Sequence, residues 1–330
     1  MVWLKLAVCC AIILIAGTRL ARYGDAISER TGLGGMWIGL VLIALVTSMP
    51  EMVTGISSAV IVGQPDMALG NFWGSCIFNI SILAILDIMS RQGPVLSLAN
   101  KRNILPAIMG IILISFAGLT IIIGDAVTGI SIGWLAISSI IIFAGYLFGI
   151  RQMFIYDKKH PEAKNEEPAQ YAHLSSMRIY GTFVFSALAI VGGGIWLSLI
   201  GDEISVTYNL SASFVGSMFL AIGTSLPELV VAITALRMGC IDLAVGDILG
   251  ANMLNTANIF ITDVFYSRGP LLADVSMRNL YTATAVIIMT LLVIAGLKLR
   301  MKRKTFGFIT WNTLLILVLY LSVSFVLFYY

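Results

Sequence analysis

The sequence predicts an all-α membrane protein of ten transmembrane helices, arranged as two inverted five-helix repeats. Three observations predict it. The chain is 59% hydrophobic and only 11% charged, with a mean hydropathy of +0.97, whereas a soluble domain carries roughly 25% charged residues. Apolar runs of about 20 residues, each long enough to cross a bilayer, recur along the whole chain. One stretch occurs twice: VTSMPEM at 46–52 returns as GTSLPEL at 223–229. In lipid the backbone must satisfy its own hydrogen bonds, and runs of this length do so as helices rather than barrel strands.

The first span, about residues 2–20, has a signal peptide's position but no small-residue cleavage site, and Arg19 and Arg22 follow it, so it reads as a retained span. Further spans are expected near 34–62, 66–89, 104–123 and 127–149. The polar stretch RQMFIYDKKHPEAKNEEPAQYAHLSS then interrupts the pattern and holds both histidines. It makes 150–177 a linker between a first five-helix repeat, 1–149, and a second, 178–330. Spans near 178–199, 210–237, 242–265, 280–298 and 306–329 complete the ten. The four cysteines form no CxxC pair and read as small buried hydrophobes.

With the linker in the cytoplasm, 17 of the 20 basic residues fall in loops on its side, and only Lys5, Arg268 and Arg278 fall on the other. The positive-inside rule therefore puts the linker in the cytoplasm and both termini outside. The expected location is the plasma membrane. The net charge of +3 speaks for orientation, not for nucleic acid. Five spans per half force the second half upside down. Internal similarity agrees: GLVLIALVTSMPEMV (39–53) aligns with GSMFLAIGTSLPELV (216–230) at an offset of 177, and DMALGNFWGSCIFNI (66–80) with DLAVGDILGANMLNT (242–256) at 176. The extra residue of the first repeat is expected in the turn before Asp66. Asp87 pairs with Asp263, Gly93-Pro94 with Gly269-Pro270, and Arg102-Asn103 with Arg278-Asn279. Inverted repeats of this kind mark secondary transporters, whose sites lie near the midplane where interrupted helices meet.

Glu51 and Glu228 fall near that midplane. A charge there costs about 3 kcal/mol on insertion scales, and no lysine or arginine lies at matching depth, so a bound cation is the natural partner. Pro50 and Pro227 free the carbonyls of the preceding turn. Thr47 and Ser48, and Thr224 and Ser225, add hydroxyls one turn from each glutamate. Ser75 and Asn79 follow on the next helix of the first half; Ala251 and Asn255 occupy those slots in the second. Oxygen donors without histidine or thiolate suit calcium and sodium. Glycines 70, 74, 246 and 250 form stripes for close helix approach. Blander readings suit the rest. Asn258 and Ser81 read as interhelical glue, Asp87 and Asp263 as interfacial or capping, and Asp66 and Asp242 as helix-start residues favoured by the dipole. Asp247 is a candidate for the ion path near the cytoplasmic entrance, and Asn209-Leu210-Ser211 matches a glycosylation acceptor on the outer side.

VTSMPE and GTSLPE, each followed by G-x-x-x-G-[SA]-x-x-x-N, resemble the two alpha repeats of the sodium/calcium exchanger branch of the calcium/cation antiporter superfamily. The resemblance covers essentially the whole chain. It implies calcium export coupled to sodium influx by alternating access, with no cofactor, no enzyme activity and no obligate protein partner. Glu51 and Glu228 would be ligands shared by both ions; Thr47, Ser48, Thr224 and Ser225 would supply backbone or hydroxyl oxygens; Ser75, Asn79 and Asn255 would complete the site. Four positions depart from the pattern: Val46 for glycine, Cys76 for asparagine, Ala251 for serine, and Asn255 for a frequent aspartate. Potassium co-transport is accordingly not expected, and the loss of a hydroxyl at Ala251 bears on sodium stoichiometry. The alternatives are a proton-coupled exchanger on the same scaffold, whose GN-x-x-E motif this chain matches less well, and a non-transporting membrane protein whose polar motifs only join helices.

Overall fold

The structure is a computed structural model describing residues 1–31, 45–124, 130–159, 175–300, 303–305, 307 and 309–329. Residues 34–44 of the predicted second span, and most of the linker with both histidines, lie outside it. A helix answers each of the ten predicted spans: α1 (Val2–Thr31), α2 (Leu45–Val62), α3 (Pro65–Met89), α4 (Ile104–Ile123), α5 (Ile137–Lys159), α6 (Ser176–Tyr208), α7 (Ala212–Thr224 and Leu226–Arg237), α8 (Ile241–Phe265), α9 (Asn279–Leu299) and α10 (Trp311–Tyr329). α8 falls short of the hydropathy expected of a span because it carries Asp242, Asp247, Asn252, Asn255, Asn258 and Asp263, yet it matches α3 in length at 25 residues.

Several boundaries differ from expectation. α1 and α6 have 30 and 33 residues rather than about 20, which makes them about 45 and 50 Å long, well beyond a hydrocarbon core of about 30 Å. They lie antiparallel. Trp3 Nε1 donates to Tyr208 Oη at one end, Cys9 and Ile13 pack with Leu197, Ile200 and Ile204 along the middle, and Ala26 meets Ile179 at the other end. α5 starts ten residues later than predicted. Ser131–Ile132 and Leu135–Ala136 form a small antiparallel hairpin around Gly133 at φ +65°, and the Asp263 carboxylate fixes the helix start by accepting from Ala136 N and Ser139 Oγ. The residue that breaks the repeat offset sits inside α2, not in the turn before Asp66. Ser58–Val62 is a π turn, whereas the equivalent end of α7 is plain α-helix, and both end at a left-handed glycine, Gly63 (φ +79°) and Gly239 (φ +80°). A π turn absorbs one inserted residue without shifting the chain beyond it.

α3 and α8 form the centre, with Phe72, Trp73 and Leu69 fully buried. The glycine stripe on α3 presses on the first half of α7: a Cβ at Gly74 would lie 2.4 Å from Ser217 Cα, and one at Gly70 2.7 Å from Ser213 O. The peripheral helices turn Leu4, Ile15, Val184, Phe185, Leu188, Leu321 and Phe325 outward, as a lipid-facing surface requires.

Asp66 and Asp242 stand in the first turns of α3 and α8, as the helix-start reading expects, and they also tie the repeats together. Asp66 Oδ1 accepts from Ser276 N and Asn279 Nδ2, both at 2.7 Å. Its repeat mate Asp242 accepts from Asn100 N at 2.5 Å and Asn103 Nδ2 at 3.1 Å. Each repeat thus clasps the loop of the other through equivalent residues. Asp87 and Asp263 are fully buried, and their carboxylates cap the starts of neighbouring segments, as the capping reading expects. Asp87 accepts from Val95 N, Thr310 N and Thr313 Oγ1, and the Lys304 ammonium donates to its backbone carbonyl. Asp263 accepts from Leu271 N at 2.7 Å. Every one of these contacts joins loops that alternate spanning puts on one side.

Candidate ion-binding site

The site begins with two helix breaks of one design. Ser48 (φ −84°, ψ 6°) and Ser225 (φ −88°, ψ 9°) leave helical geometry at equivalent positions. α7 bends by 46° there. Pro50 and Pro227 then stand in the first turn of the following half-helices, where no amide hydrogen is required. They leave the carbonyls of Val46 and Gly223 without a helical donor. Glu51 and Glu228 occupy the same first turns. The positive end of each half-helix dipole therefore faces its own carboxylate, worth about 0.3–1 kcal/mol and up to ~2 kcal/mol in partly buried geometry. That offsets only part of the cost of burial, since both glutamates are fully buried and no lysine or arginine is buried among the described residues.

The hydroxyls cross between repeats. Ser225 Oγ donates to Glu51 Oε1 at 2.7 Å, while Thr224 Oγ1 donates to Asn71 Oδ1 and Ala221 O. In return Ser48 Oγ donates to Glu228 Oε1 at 3.4 Å, and Thr47 bonds Glu228. Ser75 Oγ reaches Glu51 Oε1 at 3.5 Å and Thr224 Oγ1 at 3.4 Å. The sequence placed each motif serine beside its own glutamate; the fold hands it to the other. Four oxygens in this buried region have no partner among the described residues: Glu51 Oε2, Glu228 Oε2, Asn79 Oδ1 and Asn255 Oδ1. Asn79 offers only its carbonyl oxygen, because its Nδ2 donates to Asn252 Oδ1 at 3.1 Å. Among the described residues no three carboxylate, imidazole or thiol side chains converge as a metal cage. The donor set is two carboxylates with amide and hydroxyl oxygens, which fits a hard cation.

Two residues at the site went unread in the sequence. Asn71 donates Nδ2 to Glu51 O at 3.0 Å and accepts from Thr224 Oγ1 at 3.3 Å. Asn252 pairs with its own repeat mate Cys76: Asn252 Nδ2 donates to Cys76 O at 3.1 Å, and Cys76 Sγ to Asn252 O at 3.6 Å. α3 and α8 cross at this reciprocal contact, so the departure at Cys76 lies on the pseudo-twofold axis. The offset of 176 was the available signal, since it equates Asn71 with Asp247 and Cys76 with Asn252. Ala251 is fully buried where its mate Ser75 donates, so the Glu228 side lacks that hydroxyl.

The profile of the family described as sodium/calcium exchanger protein matches residues 1–151 and 178–329. The chain belongs to the sodium/calcium exchanger protein family. The match passes over the polar linker and takes in both motif pairs. Inner membrane protein YrbG of Escherichia coli is 26% identical over 252 residues, covering 74% of this chain and 73% of that one. Two solved exchangers share the fold. The H+/Ca2+ exchanger CAX superposes with a TM-score of 0.75 at 13% identity, covering 99% of this chain and 84% of its own. The sodium-calcium exchanger NCX_Mj gives 0.61 at 21% identity, covering 98% of each. The family and fold make this chain a multi-pass membrane antiporter of the calcium/cation exchanger type, with ten helices in two inverted repeats.

Proposed function

We propose that this family member exchanges calcium for sodium by alternating access, with Glu51 and Glu228 as the shared ion ligands. One observation carries the reading: two buried glutamates, each at the start of a broken half-helix, receive hydroxyls from the opposite repeat and keep a free oxygen each. Two carboxylates neutralise one calcium ion. Thr47, Ser48, Thr224, Ser225, Ser75, Asn79 and Asn255 supply the remaining oxygens. Sodium ions use overlapping oxygens, so the two ions exclude each other, and that competition couples the fluxes. A neutralised site crosses between inward- and outward-facing states; two bare carboxylates cross poorly.

α1 and α6 are the moving pair in this proposal. They pack along each other and lie across both motif helices through small residues, Gly17 against Pro227 and Gly194 against Val53. The linker is cytoplasmic and both termini are outside, in a plasma membrane.

The test is calcium-45 uptake into proteoliposomes loaded with sodium, with potassium-loaded and pH-jump controls. The expected result is uptake that requires internal sodium and disappears in Glu51→Gln and Glu228→Gln, while both variants keep the wild-type elution profile. Uptake that follows the proton gradient instead makes the protein a proton-coupled exchanger. Normal uptake in either variant overturns the site.

A further inference from the structure

Where α3 crosses α8, the two repeats meet through a relay of amides that is complete on one side and broken on the other. The Cys76 carbonyl can only accept, so Asn252 turns Nδ2 to it at 3.1 Å and Oδ1 the other way. Asn252 Oδ1 then takes Asn79 Nδ2, also at 3.1 Å. Asn79 therefore turns its nitrogen towards Asn252 and its oxygen away. That oxygen is buried and has no partner among the described residues. Each amide fixes the sense of the next, and the relay ends on one of the four unpartnered oxygens of the candidate site.

The equivalent relay on the other side starts in the same way and then stops. Cys76 and Asn252 are repeat mates at the offset of 176, and so are Asn79 and Asn255. The pseudo-twofold axis that carries Asn252 onto Cys76 therefore carries Asn79 onto Asn255. The Asn252 carbonyl takes Cys76 Sγ at 3.6 Å, as the Cys76 carbonyl takes Asn252 Nδ2. A thiol has one hydrogen, spent here on Asn252 O, and its sulfur is a weak acceptor with no carbonyl oxygen beside it. Position 76 thus lacks the strong acceptor that Asn252 offers to Asn79. Asn255 is fully buried, and neither its Nδ2 nor its Oδ1 has a partner among the described residues. One site amide is clamped in a single orientation, and its repeat mate is not.

We propose that Asn252 is a positioning residue that aims the Asn79 oxygen at the bound ion, and that Cys76 sets ion selectivity by leaving the Asn255 amide free to adjust to cations of different radius. The inference rests on the glutamate pair being the calcium site. Selectivity among hard cations follows from cavity size, ligand number and the rigidity of the ligands. With one amide clamped and one free, the site accepts the larger strontium and barium ions with little loss relative to calcium. Clamping both amides favours calcium.

The experiment measures equilibrium binding of calcium-45 to the full chain in nanodiscs, displaced by unlabelled calcium, strontium or barium. Cys76→Asn gives Asn255 the acceptor that Asn252 gives Asn79. Cys76→Ser, nearly isosteric, supplies an oxygen with less change and decides the matter if the larger side chain prevents folding. Expected in both is a rise of about fivefold in the preference for calcium over barium, the worth of one net hydrogen bond. An unchanged preference overturns the role of Cys76. Asn252→Ala, with Asn252→Ser as its substitute if it does not fold, tests the other half. It should weaken calcium binding about fivefold when Asn79 is present and leave it unchanged in an Asn79→Ala background, where no amide oxygen remains to be aimed. Equal weakening in both backgrounds would make Asn252 a purely structural residue and overturn its positioning role. Wild-type protein that binds no calcium refutes the exchanger reading and this inference with it, whereas calcium binding by the wild type with unresponsive variants refutes this inference alone.

Discussion

At the scale of residues, the site is asymmetric in ways that predict separate outcomes. Ser75 supplies a hydroxyl to the Glu51 side, and Ala251 supplies none to the Glu228 side. Ala251→Ser should restore an oxygen there and strengthen sodium binding, read as a lower sodium concentration for half-displacement of calcium-45. No change in that midpoint would mean that the 251 position faces away from the ion. Asn71→Ala should remove the bridge from the Glu51 carbonyl to Thr224, whose hydroxyl keeps Ala221 O and Ser75 Oγ as partners. Each lost hydrogen bond costs about 0.5–1.5 kcal/mol, visible as a lower unfolding midpoint in detergent. The glutamates themselves were legible in the sequence because a buried charge behind a proline, twice, has few structural uses. Asn71 and Asn252 were not, because a single amide in a membrane helix is ordinary interhelical glue until its partner is known.

At the scale of elements, close packing decides which glycines matter. Gly74 faces the backbone of Ser217, with no flexible side chain to give way. Gly74→Ala should destabilise the protein by about 1–3 kcal/mol through overpacking. Gly192 on α6 meets nothing within 4 Å, so Gly192→Ala should shift the unfolding midpoint little. Equal effects from the two would refute the assigned contact between α3 and α7. The clasps give a parallel test. Removing the acceptor in Asp66→Ala or Asp242→Ala strands two donors in each case, and both variants should lose stability by similar amounts, read by the same unfolding assay. The glycine stripe was readable from its four-residue spacing. The clasps were not, since an aspartate at a helix start already has a local explanation in the dipole. The lengths of α1 and α6 also escaped the sequence: hydropathy stops at the first charges, but a helix continues wherever its neighbour still covers it, as Ile179 covers Ala26.

At the scale of the whole molecule, alternate spanning fixes which loops share a side. Cysteines introduced at Ser131 and Met277 should react with an impermeant thiol reagent added outside right-side-out vesicles, in a background without the native cysteines. Cysteines at Arg91 and Met238 should react only after the membrane is opened. The reverse pattern would invert the proposed orientation. The sequence by itself determined the membrane class, the number of spans, the inversion of the repeats and the burial of the two glutamates. Each of these comes from local rules: apolar length against bilayer thickness, odd spans per half, and the cost of a charge in lipid. Only the tertiary structure decided which side chains serve which carboxylate. Ser225 serves Glu51, and Ser48 serves Glu228, because two inverted half-helices that meet at their starts bring each motif against its counterpart's carboxylate. Spacing along one helix cannot report a contact made across a pseudo-twofold axis.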